Sequence, residues 1–180
     1  LGLYATDFDG SEKYTIHVRN LDTLEDLPDA VPETSGGMCW VSKEVFVYVM
    51  LDAAHRPYQV RRHVLGDDPR DDAIIYEDND DRFFVGVNRD LAGRFVFVRS
   101  GSKISNEDHF LRVEDPIGPL TIIEPRVDGV EYQTTDDVTL FVILTNADGA
   151  VDLKLVTTPL DPPGPRHWTT SLGLPPRLPV

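Results

Sequence analysis

A repeat of strand-like runs is the feature that most constrains the fold of this chain. Within most runs apolar and polar residues alternate with a period of two, and Gly, Pro, Asn and Asp separate the runs, as in half-buried β-strands. The runs fall into groups of four, and Trp40, Phe84 and Tyr132, which open successive groups, are 44 and 48 residues apart. Four strands recurring every ~40–50 residues are typical of β-propeller blades.

The predicted strands are residues 3–6, 14–19 and a short run near Leu27; 39–41, 45–51, 58–65 and 73–77; 83–88, 94–99, 109–114 and 120–124; and 130–134, 139–144, 151–157 and 168–171.

One strand in each later group is almost continuously apolar. These strands, at 45–49, 95–98 and 140–144, come second in their groups, and such runs are typical of strands covered on both faces. A single twisted sheet cannot bury both of its faces, whereas sheets stacked around an axis can. We therefore predict an all-β fold, a partial β-propeller of about four four-stranded antiparallel blades.

The predicted blade boundaries are residues 1–35, 36–78, 82–125 and 128–172, and the first blade lacks its first strand. A proline-rich tail at 159–180 holds seven of the fourteen prolines. Because proline cannot donate to a sheet ladder, we expect this tail to form a crossing loop and one edge strand around Trp168.

The opening segment contains Asp7, Asp9 and Gly10, which resemble the start of a calcium loop. An EF-hand loop needs Gly at its sixth position and Glu at its twelfth, and neither register beginning at Asp7 or Asp9 supplies them. Asp-Gly is also typical of the turn in a β-hairpin. The alternating run at 14–19 follows directly, so we predict a hairpin.

Charge and composition exclude some classes of function. The formal net charge is −14, which argues against a nucleic-acid partner because phosphate binding needs clustered Lys and Arg. The charge is compatible with basic partners or basic substrates, although a solvated acidic surface is the commoner explanation. No apolar run approaches the length of a membrane span, so we expect no membrane partner.

The chain has one cysteine, Cys39, so no internal disulfide can form. It stands in an apolar run between Met38 and Trp40, where we expect a small buried hydrophobic side chain. A reducing compartment, the cytoplasm, is the simplest expectation.

Motifs of catalysis and metal binding are missing. No serine has the G-x-S-x-G frame of an α/β-hydrolase, and we expect Ser35 and Ser100 to lie in loops. The five histidines form no zinc-binding spacing. We therefore predict no catalytic, cofactor-binding or metal-binding residue and no cofactor. The histidines are His17, His55, His63, His109 and His167.

Other polar residues have structural interpretations as well. His17 and His109 fall on the polar phase of their strands, so we expect them to face solvent. The acidic runs at 67–68, 71–72 and 78–81 are expected to be solvated turns. The segment 55–58 (His-Arg-Pro-Tyr) is either a structural turn or a contact with a partner domain.

Several segments, in order, resemble the oligopeptidase B branch of the prolyl oligopeptidase family. Residues 9–16 (DGSEKYTI) are similar to that branch's D-G-S-E-x-Y-x-[LI]. Residues 49–52 and 55–63 (VMLD, HRPYQVRRH) are similar to Y-V-R-x-D followed by R-P-Y-x-V-x-R-H. Residues 65–66, 75–78 and 81–85 continue the pattern. The resemblance covers residues 1 to about 125 well and continues more loosely to Trp168; residues 105–109 depart from the family's pattern.

The resemblance implies a serine oligopeptidase with two domains. A β-propeller caps an α/β-hydrolase domain, and this branch cleaves short peptides after Lys or Arg. No position here matches the family's catalytic triad, so the resemblance implies that this chain is the gating propeller fragment, inactive alone. Its expected partners are the α/β-hydrolase domain of the parent protein and short basic peptides.

Two other functions remain open from the sequence. The chain could be a free-standing propeller of the WD40-like type that binds proteins. A secreted lectin-like sandwich is disfavoured by the single cysteine and by the lack of a visible signal segment. Because open blade faces are apolar, we also expect a homodimer that buries them.

Overall fold

The computed structural model describes residues 1–137, 139–150, 152–164 and 168–172. These residues form fourteen strands and two short 3₁₀ turns, at Pro69–Asp71 and Ala147–Gly149. The strands are β1 Gly2–Thr6, β2 Tyr14–Arg19, β3 Asp26–Trp40, β4 Val45–Leu51, β5 Pro57–Val64, β6 Ala73–Glu77, β7 Phe84–Arg89, β8 Phe95–Gly101, β9 Asn106–Arg112, β10 Thr121–Glu124, β11 Tyr132–Asp137, β12 Leu140–Thr145, β13 Lys154–Pro159 and β14 Thr169–Leu172.

Three antiparallel sheets contain these strands in sequence order: β1–β6, β7–β10 and β11–β14. The predicted all-β partial propeller is confirmed, with one difference, since the first two predicted blades share a sheet. Below, blade 1 denotes β1, β2 and the first half of β3; blade 2 denotes the second half of β3 with β4–β6; and blades 3 and 4 denote the second and third sheets.

The strand β3 joins blades 1 and 2 because it runs through the predicted boundary. It pairs with β2 from Asp26 to Thr34, and with β4 at Thr34 and again from Met38 to Trp40. Between these segments Gly36 has a φ of +81°, and a Cβ there would lie 3.2 Å from the ring of Tyr14. Glycine therefore permits the irregularity that lets one strand serve both blades.

The opening segment is a hairpin, as predicted. β1 and β2 pair antiparallel over their full length. Asp7 organises the turn, since its Oδ1 accepts from the N–H of Gly10 and its Oδ2 from that of Glu12, both at 2.9 Å. These backbone bonds explain the acidic residue without a metal ion.

Three apolar cores lie between adjacent blades. On one face of β4, Val45, Val47 and Val49 cluster with side chains of blade 3, including Val96 and Val98. The prediction that this second strand is covered on both faces is confirmed, because Phe46 and Tyr48 on its other face cluster with residues of blade 1.

The core between blades 3 and 4 is aromatic. Phe141 of β12 is fully buried, and its ring centroid lies 5.3, 5.9 and 5.0 Å from those of Phe95, Phe97 and Phe110. Such tilted and edge-on pairs stabilise a core beyond the area they bury. The other face of β12 is more exposed to solvent, because Leu144 on that face is 37 % exposed. The described residues therefore cover only one face of this strand.

Some predictions on loops and ends need correction. Ser35 lies in β3 and Ser100 in β8, because both segments find pairing partners, so neither is in a loop. In the predicted tail, β14 provides the edge strand beside Trp168, whereas residues 165–167 and 173–180, with His167, lie outside the described residues. No helix among the described residues is long and apolar enough to cross a membrane.

Candidate functional site

The junction between blades 2 and 3 holds a buried polar network. Asp78 follows β6 directly and is only 2 % exposed. Its carboxylate accepts a hydrogen bond from the hydroxyl of Ser100 on β8, and its Oδ2 lies 2.8 Å from Nη1 of Arg126, just beyond β10. The segments that leave blades 2 and 3 are thereby held against each other.

The electrostatics of this ion pair favour the charged carboxylate. Burial alone would raise the pKa of Asp78, but the adjacent Arg126 guanidinium and hydrogen bonds from Ser100 and the N–H of Asp80 outweigh burial and lower the pKa. The Arg126 guanidinium also lies 3.8 Å from the centroid of the Phe83 ring, a cation–π contact that fixes its plane.

Blade 3 contributes more groups to the same network. Glu107 accepts a 2.7 Å hydrogen bond from the hydroxyl of Tyr76, and its other oxygen lies 3.5 Å from Nε of Arg126. The His109 ring packs on Tyr76 with 4.8 Å between centroids. Burial lowers the pKa of His109, so it is a neutral, half-buried imidazole at neutral pH, and its predicted solvent-facing position is wrong.

A second polar junction joins blades 3 and 4. Asn106 of β9 donates from Nδ2 to the carbonyl of Tyr132 at 2.9 Å and accepts at Oδ1 from the N–H of Tyr132 at 2.8 Å. The Tyr132 hydroxyl accepts from the N–H of Asp108 at 2.8 Å and donates to the carbonyl of Glu124 at 2.6 Å. The Asn106 side-chain amide thus makes the two hydrogen bonds that a neighbouring strand would make with the backbone of Tyr132, the first residue of β11.

The other residues considered from the sequence have mainly structural positions. His55 is exposed, His17 is half-buried with its ring stacked on that of Tyr4 at 5.0 Å, and His63 is fully buried. The half-buried Cys39 packs against the core between blades 2 and 3, and burial raises its pKa to about 11, so its thiol is unreactive at neutral pH.

The structural interpretation of residues 55–58 fits the contacts of Arg56. Its Nη1 donates to the carbonyls of Asp78, Asp80 and Phe83 at 3.2, 3.1 and 2.9 Å. Its Nε donates to Asp52 at 2.9 Å. Arg56 therefore shapes the connection from blade 2 to blade 3.

The acidic runs are solvated only in part. Asp67, Asp68 and Asp71 are exposed, as predicted for turns. The solvated-turn prediction is wrong for Asp78, and it is wrong for the side chain of Asp72, which is only 3 % exposed. Both carboxylates lie buried because other strands supply hydrogen-bond donors to them: Tyr48 and His63 of blade 2 to Asp72, and Ser100 of blade 3 to Asp78.

An open groove lies beside the Asp78 junction. It has a volume of about 610 Å³, and its lining includes Arg82, Phe84, Lys103, Ile104 and Asp128. Phe84 and Ile104 are more than half exposed at 56 % and 55 %. The groove is thus an apolar surface with a charged rim, suited to contact with a peptide or another domain.

The chemistry open to these residues is binding and positioning. The hydroxyl of Ser100 is fully buried, so a substrate cannot reach it as a nucleophile. Among the described residues no group of three or more His, Cys, Asp or Glu could hold a metal ion. The junctions can fix one blade against the next.

Sequence reasoning missed both junctions. A signal was present, because Asp78 and Arg126 each follow the last strand of a predicted blade. Equivalent positions of a repeat lie near each other in the stacked fold, so opposite charges at such positions indicate an ion pair.

Comparison with known families gives a match over nearly the whole chain. Residues 1–176 match the family described as "Prolyl oligopeptidase, N-terminal beta-propeller domain".

Curated relatives and a solved structure agree with this match. Dipeptidyl aminopeptidase BI of Pseudoxanthomonas mexicana is 36 % identical over 167 residues, covering 92 % of this chain and 23 % of that protein. Protease 2 of Moraxella lacunata is 35 % identical over 161 residues, covering 88 % of this chain and 23 % of that protein. Oligopeptidase B from Leishmania major superposes with a TM-score of 0.81 at 29 % identity, covering 87 % of this chain and 22 % of that one. The chain therefore spans about a quarter of the length of these relatives.

Proposed function

The chain belongs to the prolyl oligopeptidase family, as part of its N-terminal β-propeller domain, and we propose that it controls substrate access in a serine oligopeptidase. In this proposal the reacting serine, histidine and aspartate are supplied by an α/β-hydrolase domain of the same parent protein. The present chain has no catalytic activity of its own. The proposed blade boundaries remain those expected from the sequence, at residues 1–35, 36–78, 82–125 and 128–172.

The observation that carries this proposal is the pair of buried polar junctions between the blades. Asp78 and Arg126 join blades 2 and 3, and Asn106 and Tyr132 join blades 3 and 4. Paired buried groups resist separation, because parting them would leave charges and amides unsatisfied. Blades fixed in this way form a rigid domain. In this proposal a short flexible peptide can pass that domain to reach the catalytic domain, whereas a folded protein is too large to do so.

The proposed substrates are short peptides cleaved after Lys or Arg. The formal net charge of −14 supports this, because an acidic protein attracts cationic peptides over distances of about 10 Å at moderate salt. The proposed compartment is the cytoplasm, since the single cysteine cannot form an internal disulfide.

The test compares a short and a folded substrate in the intact protein. A flexible peptide of about ten residues with one Arg and a small folded domain carrying the same Arg sequence are offered at equal concentration. We expect cleavage of the peptide and at least ~100-fold slower cleavage of the folded domain. Equal cleavage of both would contradict access control, and no cleavage of either would contradict a peptidase.

A matched pair of variants connects the result to the blade junctions. Arg126→Ala removes the buried ion pair with Asp78, and we expect it to reduce the discrimination between the two substrates. Arg70→Ala removes the exposed pair with Asp68, in which the Arg70 side chain is 88 % exposed, and should leave the discrimination unchanged.

A free-standing protein-binding propeller is the second candidate, favoured by the exposed Phe84 and Ile104 in the open groove. It predicts a protein without peptidase activity, so the same assay separates the two functions.

The homodimer through open blade faces also remains a proposal. Leu144 and Leu153 of blade 4 are 37 % and 40 % exposed, and a second copy could cover them. Light scattering that gives a monomer at working concentration would contradict it.

A further inference from the structure

His63 lies fully buried on β5 with a carboxylate at each ring nitrogen. Its Nε2 is 3.1 Å from Oδ1 of Asp29, which belongs to the first half of β3. Its Nδ1 is 3.0 Å from both oxygens of Asp72, which follows the 3₁₀ turn between β5 and β6. The side chains of Asp29 and Asp72 are 4 % and 3 % exposed, so water cannot replace either contact.

The hydrogen-bonding chemistry of this arrangement requires a proton on each nitrogen. An ionised carboxylate only accepts hydrogen bonds, and neutral imidazole has one donor and one acceptor nitrogen. A neutral His63 would therefore direct a lone pair at one of two buried carboxylates, at 3.0 or 3.1 Å. Only the imidazolium donates in both directions.

The other contacts of the two carboxylates show that both are already acceptors. Asp29 accepts from the N–H of Gly66 at 2.6 Å, and Asp72 accepts from the hydroxyl of Tyr48 at 2.8 Å. Because both carboxylates already accept hydrogen bonds from these donors, the second proton needed between them and the imidazole is placed on His63.

We propose that His63 is a buried imidazolium that holds blade 1 against blade 2, so that this contact depends on a single bound proton. Of the two carboxylates, Asp29 belongs to blade 1, because it lies on the first half of β3. Its contact with His63 therefore joins blade 1 to β5 of blade 2. Loss of the proton weakens the attachment of blade 1 and leaves the cores between blades 2, 3 and 4 intact.

The groups packed around His63 support this assignment. The ring of Phe46 on β4 lies 4.9 Å from the imidazole, centroid to centroid. Tyr48 on the same strand bonds to Asp72, and burial raises its pKa well above the ordinary value, with Arg61 opposing the rise. Tyr48 therefore stays neutral throughout the physiological range, and the two carboxylates are the charges that face His63.

The direction of the pKa shift agrees with this geometry. Burial alone would lower the pKa of His63, but the hydrogen bonds to Asp72 and Asp29 outweigh burial and raise it. A raised pKa in the folded state contributes stability that is fully present below ~6.5, the unfolded value. That stability is lost as the pH rises through the folded-state pKa.

The direct test is ¹⁵N NMR of the intact protein labelled at histidine, with the His63 signals assigned by their loss in His63→Gln. We expect both nitrogens of His63 to show imidazolium shifts at pH 7. An unprotonated nitrogen on His63 at pH 7 would overturn the proposal. The protonation state is measured on the wild-type fold, and the variant serves only to assign the signals.

The second test is hydrogen exchange by mass spectrometry between pH 7 and 10, corrected for intrinsic rates. We expect β1, β2 and the first half of β3 to lose protection by up to ~10-fold per pH unit once His63 deprotonates, while β8 and β12 keep theirs. Uniform loss across all blades, or no selective loss, would overturn the proposed attachment.

A matched pair of variants tests the partner. Asp72→Asn removes one anion from the imidazole, and we expect the pH at which blade 1 loses protection to fall by at least ~1 unit. Asp71→Asn changes the neighbouring exposed residue in the same way and should leave that pH unchanged. Equal shifts in both variants would show a general charge effect and would contradict the assignment.

Discussion

Arg126 and Asp78 form an ion pair with 2.8 Å between Nη1 and Oδ2, although 48 positions of sequence separate them. The pair lies where blades 2 and 3 each pass the chain to the next blade. The Asp78 side chain is 1 % exposed and the Arg126 side chain is 30 % exposed. The pair therefore connects two blades of the repeat, and water reaches it on the Arg126 side only.

Arg126→Ala is expected to destabilise the protein by about 2–3 kcal/mol. The loss is large because the carboxylate of Asp78 stays buried with its partner removed, and it is below the upper values for buried pairs because Arg126 is partly solvated. Chemical denaturation measures the free energy of unfolding. Arg70→Ala, the exposed control, should cost less than about 0.5 kcal/mol; similar losses in both variants would show that the Arg126 junction has no special strength.

Asn106→Ala is expected to cost about 1–3 kcal/mol, because it leaves the N–H of Tyr132 without its buried partner and leaves the Tyr132 carbonyl with the Arg99 donor alone. Thermal and chemical unfolding both measure the loss. Asn88→Ala changes an exposed asparagine on β7 and should stay within about 0.5 kcal/mol of wild type. A loss below about 1 kcal/mol for Asn106→Ala would mean that water satisfies Tyr132 in the variant.

Acid should weaken the Asp78 junction. The pKa of Asp78 is lowered in the folded state, so its contribution to stability is present above the unfolded value near ~3.9 and is lost as the pH falls through the folded value. We expect Asp78→Asn to be less stable than wild type at pH 7 and to lose less further stability between pH 5 and 2. Parallel pH profiles for the two proteins would rule out this role for Asp78.

Phe141→Ala is expected to cost about 3–5 kcal/mol, because it opens a cavity among Phe95, Phe97 and Phe110 in the core between blades 3 and 4. Phe141→Leu, which fills much of the space, should cost roughly 1–2 kcal/mol. Phe84→Ala truncates a phenylalanine that is 56 % exposed and should change the free energy of unfolding little. An equal loss for Phe84→Ala would contradict the assignment of the core.

The sequence predicts the strands of this fold well because each strand has its own local pattern. Alternation identifies β2, and the apolar run identifies β4 with its two buried faces. The continuity of β3 could not be predicted, because residues 34–37, Thr-Ser-Gly-Gly, have the composition of a loop. Their strand conformation depends on pairing with β2 and β4, which local sequence does not record.

The polar groups of the site were harder to predict for a related reason. An aspartate in an acidic run has the same local pattern whether solvent or protein surrounds it. Asp72 and Asp78 are buried because His63 and Arg126 reach them from other strands. Whether a carboxylate is solvated is therefore a property of the folded sheets, and for Asp78 it becomes predictable only when equivalent positions of the repeat are compared.

Salt should slow the capture of cationic peptides by the intact protein. With a net charge of −14 on this chain, attraction of an Arg- or Lys-containing peptide acts beyond direct contact and is screened as the Debye length falls from ~10 Å at 0.1 M to ~3 Å at 1 M. We expect kcat/KM for a peptide of charge near +3 to fall by roughly tenfold over this range. A peptide with one Arg and compensating acidic residues, neutral overall, is the control and should change much less. If the two peptides respond alike to salt, long-range attraction by the propeller has no part in substrate capture.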